Sequence, residues 1–207
     1  MRREFQRVTD YFALLNEPRR PWLDAEALKQ KFLTLSATVH PDRVHNLGEA
    51  ERASAQEHYT ELNAAHQSLR EPRTRLHHLL ELELGTLPKD IQRIPSDLMD
   101  LSLAVGKACR EADAFIAGKA KITSPLLLVT FFERGQEFTE ALQGLRKKND
   151  SQNDQLTTEL REIDTAWESD ITPRTTLLQR IESMYRLFSY FARWTGQLQE
   201  RIVRLSF

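Results

Sequence analysis

Val39-His40-Pro41-Asp42-Arg43 stands between two runs of helical apolar spacing, and the organisation of the chain follows from how it is read. Ahead of it, Leu28, Phe32, Leu35 and Val39 recur every three or four residues, the mark of one apolar helix face. After it, a run over roughly residues 49–70 places Ala55, Tyr59, Leu62, Ala65 and Leu69 on one face. Pro41 has no amide hydrogen and clashes with the preceding turn, so the first helix must stop before it. The pattern predicts two antiparallel helices joined by an exposed loop that carries His-Pro-Asp. The tripeptide alone says little, because many turns contain Pro and Asp. Between two helices at this spacing it becomes specific.

Working outward, residues 8–16 form a short helical run through Tyr11, Phe12, Leu14 and Leu15, which Pro18 and Pro21 terminate. Asp24 is placed to accept the first free amides of the second helix, and Leu23 and Leu28 occupy staple positions around it. Pro72 opens a fourth helix with Leu76, Leu79, Leu80 and Leu82, ending near Gly85. Thr86 to Pro95 then reads as a hinge. Beyond it, Ser96 caps a helix over 97–117, and Pro125 starts another through Phe131, Phe138, Leu142 and Leu145. The polar stretch from Lys147 to Asp154 is either a loop or the exposed middle of one long helix. Residues 155–169 are helical, and Thr172-Pro173 opens a long last helix from Leu177 to Leu205. The expected division is 8–85, a hinge at 86–95, and an antiparallel helical bundle over 96–207.

Composition agrees with an all-α protein. The chain has 207 residues, 40% hydrophobic and 29% charged, with seven Gly and eight Pro, and no long alternating β-branched runs. A formal net charge of −1 lacks the electrostatic footprint of a nucleic-acid binder. Cys109 is the single cysteine, which leaves no intrachain disulfide and no Cys-x-x-Cys pair; beside Ala108 and Ala112 it reads as a small buried hydrophobe. The N-terminus has no apolar secretory core, and the apolar cluster from Pro125 to Phe132 falls well short of the ~20 residues of a spanning helix. A cytoplasmic protein that touches neither membrane nor nucleic acid is expected.

His40 and Asp42 make poor catalytic machinery, with no nucleophile and no glycine-rich anion cradle nearby. No enzyme activity and no cofactor are expected. His77 and His78 are adjacent, so they diverge by about 100° on a helix and cannot converge on one metal ion. A turn between two helices is better suited to presenting a fixed polar triplet to a partner. Pro41 stiffens it and lowers the entropy lost on docking, Asp42 offers a carboxylate to a partner arginine, and His40 can donate or accept. In the last helix, Phe188, Tyr190, Phe191 and Trp194 cover more than one stripe. Core packing explains that breadth, with a partner surface open for Tyr190 or Trp194.

Residues 10–84 resemble a J domain, and more narrowly the HscB family of J-domain co-chaperones. The resemblance rests on Asp10-Tyr11-Phe12-Ala13-Leu14-Leu15, Leu23-Asp24, His40-Pro41-Asp42-Arg43, then Asn63, Ala65, Leu69-Arg70, Pro72, Arg75 and Leu79-Leu80. It implies docking on a DnaK/HscA-type heat-shock chaperone through His40, Pro41, Asp42 and Arg43, with Lys29 and Lys31 on the basic face, and stimulation of its ATPase. It also implies a C-terminal helical domain that binds an IscU-like iron–sulfur scaffold as client. Leu98-Met99 falls at the family's scaffold-contacting pair, with Leu103 nearby and Leu187 at a further apolar contact; plain core packing is the other reading of these positions.

The chain departs from the family in three places. Leu33, Thr34, Ala37 and Thr38 are uncharged where a basic outward face is usual, and each lost surface ion pair is worth ~0.2–1 kcal/mol. Gly106 and Arg110 stand where carboxylates accompany the Leu-Met pair, and Ser102 takes an apolar position. The stretch from 122 to 175 is longer than the family's middle helix. His66 takes a position where an aromatic residue is common, which predicts a partly buried imidazole. The alternative to a working co-chaperone is an interaction protein that keeps the J-like shape and no longer acts on a chaperone.

Overall fold

The computed structural model describes residues 8–46, 48–85, 94–118, 124–169 and 171–206. The regular elements among them are all helical: α1 (Tyr11–Leu14), α2 (Ala25–Thr38), α3 (Pro41–Val44), α4 (Glu49–Arg70), α5 (Pro72–Leu84), α6 (Met99–Gly118), α7 (Pro125–Glu168) and α8 (Arg174–Leu205). The all-α class is as the sequence predicts. No described helix is long and apolar enough to cross a membrane. The chain falls into two compact units, Met1–Lys89 with Glu159–Tyr185, and Asp90–Thr158 with Arg186–Phe207.

In the first unit α4 is the central element, with α1, α2, α3 and α5 all packed on it. Its core is Phe12, Leu15, Leu28, Leu62, Leu69, Leu76 and Leu79, all fully buried. Truncating any one of these leucines to Ala costs about 2–5 kcal/mol, because lost transfer energy and a cavity add. Local chemistry sets the helix ends. Asp10 Oδ1 accepts from the amides of Phe12 and Ala13 at 3.0 and 3.2 Å, which starts α1 at Tyr11 rather than at residue 8. Asn16, at φ 53, then turns the chain away, and α1 is a single turn rather than a helix over 8–16. Asp24 Oδ1 accepts from Ala27 N at 2.8 Å to start α2, with Leu23 and Leu28 buried on either side of the cap. Gly85 closes α5 in the left-handed region at φ 65, its amide donating to Glu81 O.

The remainder of the first unit comes from the far ends of α7 and α8, which the sequence reading assigned to the C-terminal bundle. The physical reason is one buried carboxylate. Asp164, 3% exposed, accepts a forked pair from Arg20 and a 3.0 Å bond from Trp22 N. Trp167 Nε1 donates to Arg19 O at 2.8 Å, and the Arg161 guanidinium lies 5.2 Å over the Trp22 ring. From the other side Arg75, also 3% exposed, donates to Pro21 O at 2.8 Å and Leu69 O at 2.7 Å. Burial pushes its pKa down to about 10, against the opposing pull of Asp164 and Glu71, so it stays charged near neutral pH. The α1–α2 loop is therefore held by two buried charges.

In the second unit, α6 contributes Val105, Cys109 and Ala112 to the core, α7 Leu142 and Leu156, and α8 Phe188, Phe191, Trp194 and Leu198. Phe115 of α6 stacks on Phe131 of α7 at 4.0 Å, and Asp113 pairs with Arg201 and Arg204 of α8 at 2.8 and 3.0 Å. Entry into α6 runs through a 3-10 turn at Ser96–Leu98 rather than through a Ser96 side-chain cap. The expected hinge lies outside the described residues except for Ile94 and Pro95. Residues 147–154 belong to the continuous α7. They are helical because Asn149 is buried and needs partners: its Nδ2 reaches α8, donating to Phe191 O at 3.1 Å and Thr195 Oγ1 at 2.8 Å. Cys109 is buried as expected, and burial pushes its thiol pKa up.

His78 supplies a pH dependence to the first unit. It is buried, and its Nε2 accepts the Tyr11 amide at 3.1 Å, which requires the neutral imidazole. Burial holds it below its ordinary value of 6.5, against the pull of Glu81 and Asp10; His66, stacked on Phe32 at 4.4 Å, is lowered by burial and by Arg70. The unfolded chain therefore binds more protons below 6.5, so this stability is complete above that value and is lost as pH falls from it towards the lowered folded value. Urea midpoints should fall between pH 7.5 and pH 5.5, and less steeply in His78→Gln, whose amide oxygen can still accept from Tyr11; a midpoint that rises on acidification contradicts this. Asp164→Ala leaves Arg20 with Glu168 alone and takes the acceptor from Trp22 N, and should cost about 1–3 kcal/mol, read as lost hydrogen-exchange protection in α2 and α5, with no loss at Asn149 in the second unit.

Candidate functional site

The site is the junction of α2 with α3. The α2 helix stops at Val39, whose amide donates to Ser36 O at 3.2 Å, because Pro41 cannot continue it. His40 takes an extended conformation, φ −63 and ψ 137, and becomes the N-cap of the next turn. Its Nδ1 accepts from Asp42 N at 3.3 Å, and Arg43 N donates to His40 O at 2.9 Å. His-Pro-Asp is thus the opening of a one-turn helix, α3, and not the loop that the sequence predicts. Pro at the first position of a helix suits this role, since an amide there has no partner to lose.

Capping also assigns the imidazole. With Nδ1 accepting, the neutral ring carries its hydrogen on Nε2. The ring stands edge-on to Tyr59 of α4, centroids 5.6 Å apart at 89°, which fixes its plane. Asp42 is 89% exposed, and its carboxylate lies 3.6 Å from His40 Nδ1. Among the described residues no Lys or Arg pairs with it. His45 Nδ1 bonds the Asp42 carbonyl at 2.6 Å and Arg43 Nη1 donates to Ala37 O at 3.4 Å, tying the turn to both of its flanks. The arrangement presents one exposed carboxylate, with only the His40 imidazole beside it, on a braced turn.

Both lysines of α2 lie at its surface. Lys31 Nζ is 2.8 Å from Glu17 Oε1 and 3.1 Å from Asn16 O, so its charge is engaged with the α1–α2 loop. Lys29 is exposed and 3.7 Å from Glu26. In the second unit the structure separates the four apolar candidates. Leu98 is 5% exposed and packs in the core, whereas Met99 and Leu103, one helical turn apart on α6, are 43% and 64% exposed. Leu187 is half-buried on α8. Tyr190 and Trp194 are buried and stack at 5.8 Å, so both belong to the core. His77 and His78 diverge: His78 lies under Tyr11 at 4.6 Å and His77 tilts against Tyr185 at 5.5 Å.

No family model matches the chain. Curated relatives do. A co-chaperone protein HscB homolog of Paraburkholderia phymatum is 40% identical over 72 residues, 35% of this chain and 41% of that protein. The corresponding homolog of Chromobacterium violaceum is 34% identical over 91 residues, 44% of this chain and 52% of that one. The chain thus spans about half the length of the curated relatives it matches. Among solved structures, chaperone HscB from Vibrio cholerae superposes with a TM-score of 0.59 at 17% identity, covering 93% of this chain and 96% of that one. Human co-chaperone protein HscB superposes with a TM-score of 0.60 at 18% identity, covering 96% and 82%. The chain is HscB-like, in sequence over part of its length and in fold over nearly all of it.

Proposed function

We propose that this chain is a J-domain co-chaperone that docks on a DnaK/HscA-type chaperone through His40-Pro41-Asp42, stimulates its ATPase and delivers a client. The carrying observation is the Asp42 carboxylate, exposed, with no Lys or Arg partner among the described residues, and held on a turn braced by His40 and Arg43. A partner arginine would meet it as a bidentate, charge-assisted pair, among the stronger polar contacts. The His40 cap and Pro41 mean that little conformational freedom is lost on docking. His40 would act on the partner through Nε2–H, because Nδ1 is occupied by the Asp42 amide. No step on this chain is chemical: the partner hydrolyses its nucleotide, and the turn biases the state in which it does so.

The client reading is an IscU-like iron–sulfur scaffold, which follows from the likeness to HscB co-chaperones and from two exposed apolar side chains on α6, Met99 and Leu103. Leu187 would add a half-buried contact, and Leu98 supports the face from beneath. A second reading, a J-like interaction protein without effect on a chaperone, is favoured by Lys31, whose charge is engaged by Glu17.

One assay separates the two. Purified protein should raise the steady-state ATPase rate of a DnaK-type chaperone of the same cell. His40→Gln should abolish the rise while leaving the helical circular dichroism unchanged; absence of any rise with wild-type protein favours the second reading. For the client, Leu103→Asp should weaken scaffold binding about tenfold or more in calorimetry, with ATPase stimulation in the absence of scaffold unaffected. Unaltered scaffold affinity would move the client site off α6.

A further inference from the structure

We infer that the cleft between the end of α4 and the start of α5 binds an extended acidic segment of a partner protein, one that inserts an aromatic side chain and sets a neighbouring carboxylate on Arg73. The site is separate from the His-Pro-Asp turn, and the inference does not rest on the docking reading.

Pro72 opens α5 one residue after α4 ends, so the two helices diverge from a tight corner. The cleft beside that corner has a volume of about 570 Å³. Clefts that hold a ligand run to roughly 300–1,000 Å³. Two helix faces supply its walls. Ala64, Gln67 and Ser68 stand at i, i+3 and i+4 on α4, and Arg73 and His77 at i and i+4 on α5. Tyr11 of α1 and Tyr185 of α8 also line it.

The lining is graded from rim to floor. Gln67 and Arg73 are exposed, whereas Tyr11, Ser68, His77 and Tyr185 are half-buried. The cation thus stands at the rim and the rings lie deeper, with His77 tilted against Tyr185 at 5.5 Å. Among the described residues no Asp or Glu lines the cleft. The arginines at this corner differ in what they hold. Arg70 is 3.7 Å from Glu71, and Arg75 is buried on Pro21 O and Leu69 O. Arg73 has no acidic partner among the described residues, and the Gln67 and Ser68 side chains make no hydrogen bond among them. A guanidinium, an amide and a hydroxyl without internal partners, over an aromatic wall, match a ligand with an apolar body and an anionic edge.

A polypeptide segment suits this arrangement better than a nucleotide. The exposed rim leaves an occupant wet along one side, whereas small-molecule sites bury roughly 70–90% of their ligand. One guanidinium answers one carboxylate as a bidentate pair, and Gln67 and Ser68 can bond the segment's backbone. The cleft also faces away from the docking turn. At about 100° per residue, Ala64 and Ser68 lie ~140–180° round α4 from Tyr59, against which His40 packs. Both surfaces can be occupied at once.

The test is an amide NMR titration of the full chain with a short Gly-Ser peptide carrying one Phe-Glu pair. Gln67, Ser68, Arg73 and His77 should shift, with a Kd below about 1 mM. Peptides carrying Phe-Gln or Ala-Glu instead should bind about fivefold more weakly or worse. Arg73→Gln, at an exposed position, should keep the wild-type spectrum elsewhere, weaken Phe-Glu binding to the level of Phe-Gln, and so erase the preference between them. His40→Gln should bind the peptide as wild type does, so a failure of chaperone stimulation leaves this site untouched. Residues 64–77 unshifted at about 5 mM peptide, or a preference for Phe-Glu that survives Arg73→Gln, overturns the inference. So does AMP, if it shifts the same amides with a lower Kd than the peptide, since the cleft is then a nucleotide site.

Discussion

A carboxylate buried at Asp164 needs close hydrogen-bond donors, and that requirement organises the first unit. Its partners, the Arg20 guanidinium and the Trp22 amide, both lie in the short segment between α1 and α2. Arg75 grips the same segment at Pro21 O from the α5 side. The start of α2 is therefore defined by two hydrogen-bonded charges, with Trp167 and Trp22 covering them. Buried ion pairs seldom add much net stability compared with packed apolar groups. Their effect here is positional: the segment that launches α2 has one place to sit, and α2 carries the His-Pro-Asp turn at its other end.

At that other end the constraint is covalent. Pro41 stops α2 and starts α3, so the chain reverses within a few residues onto α4. His40 serves twice, as a cap through Nδ1 and as an aromatic edge against Tyr59. Asp42 receives none of this internal bonding on its carboxylate apart from the nearby imidazole. A turn braced by its own backbone and side-chain bonds, with its carboxylate exposed, is suited to recognition, because the partner need supply only the counter-charge.

Features written in local chemistry could be read from the sequence. Asp24, Pro72 and Gly85 mark helix ends by capping, fixed φ and left-handed permissiveness, and α2, α4 and α5 fall where those residues place them. His66 and Cys109 were legible for a related reason, as their neighbours recur at core spacing. Features that depend on a distant partner were not. Arg161-Glu162-Ile163-Asp164 reads as one apolar position on a solvated helix face, and nothing local tells that Asp164 meets Arg20. Asn149 sits in a polar run that suggests a loop, and only its bonds to Phe191 O and Thr195 explain why α7 is unbroken. Leu98 and Met99 are adjacent and chemically alike, so their split into core and surface follows from the orientation of the 3-10 turn, which no pattern of residue types encodes. Lys31 looked like a free basic residue until Glu17, fourteen positions earlier, proved to hold it.

The central claim is that the partner chaperone reads the α2–α3 junction. Amide NMR of the full chain, titrated with a nucleotide-bound DnaK-type chaperone, tests it most directly. The account predicts that Leu33, Ala37, Asp42 and Arg43 shift or broaden first, with the α6 amides of Met99 and Leu103 unaffected until scaffold is added. Changes confined to α6 and α8, with residues 33–43 silent at saturation, would contradict it.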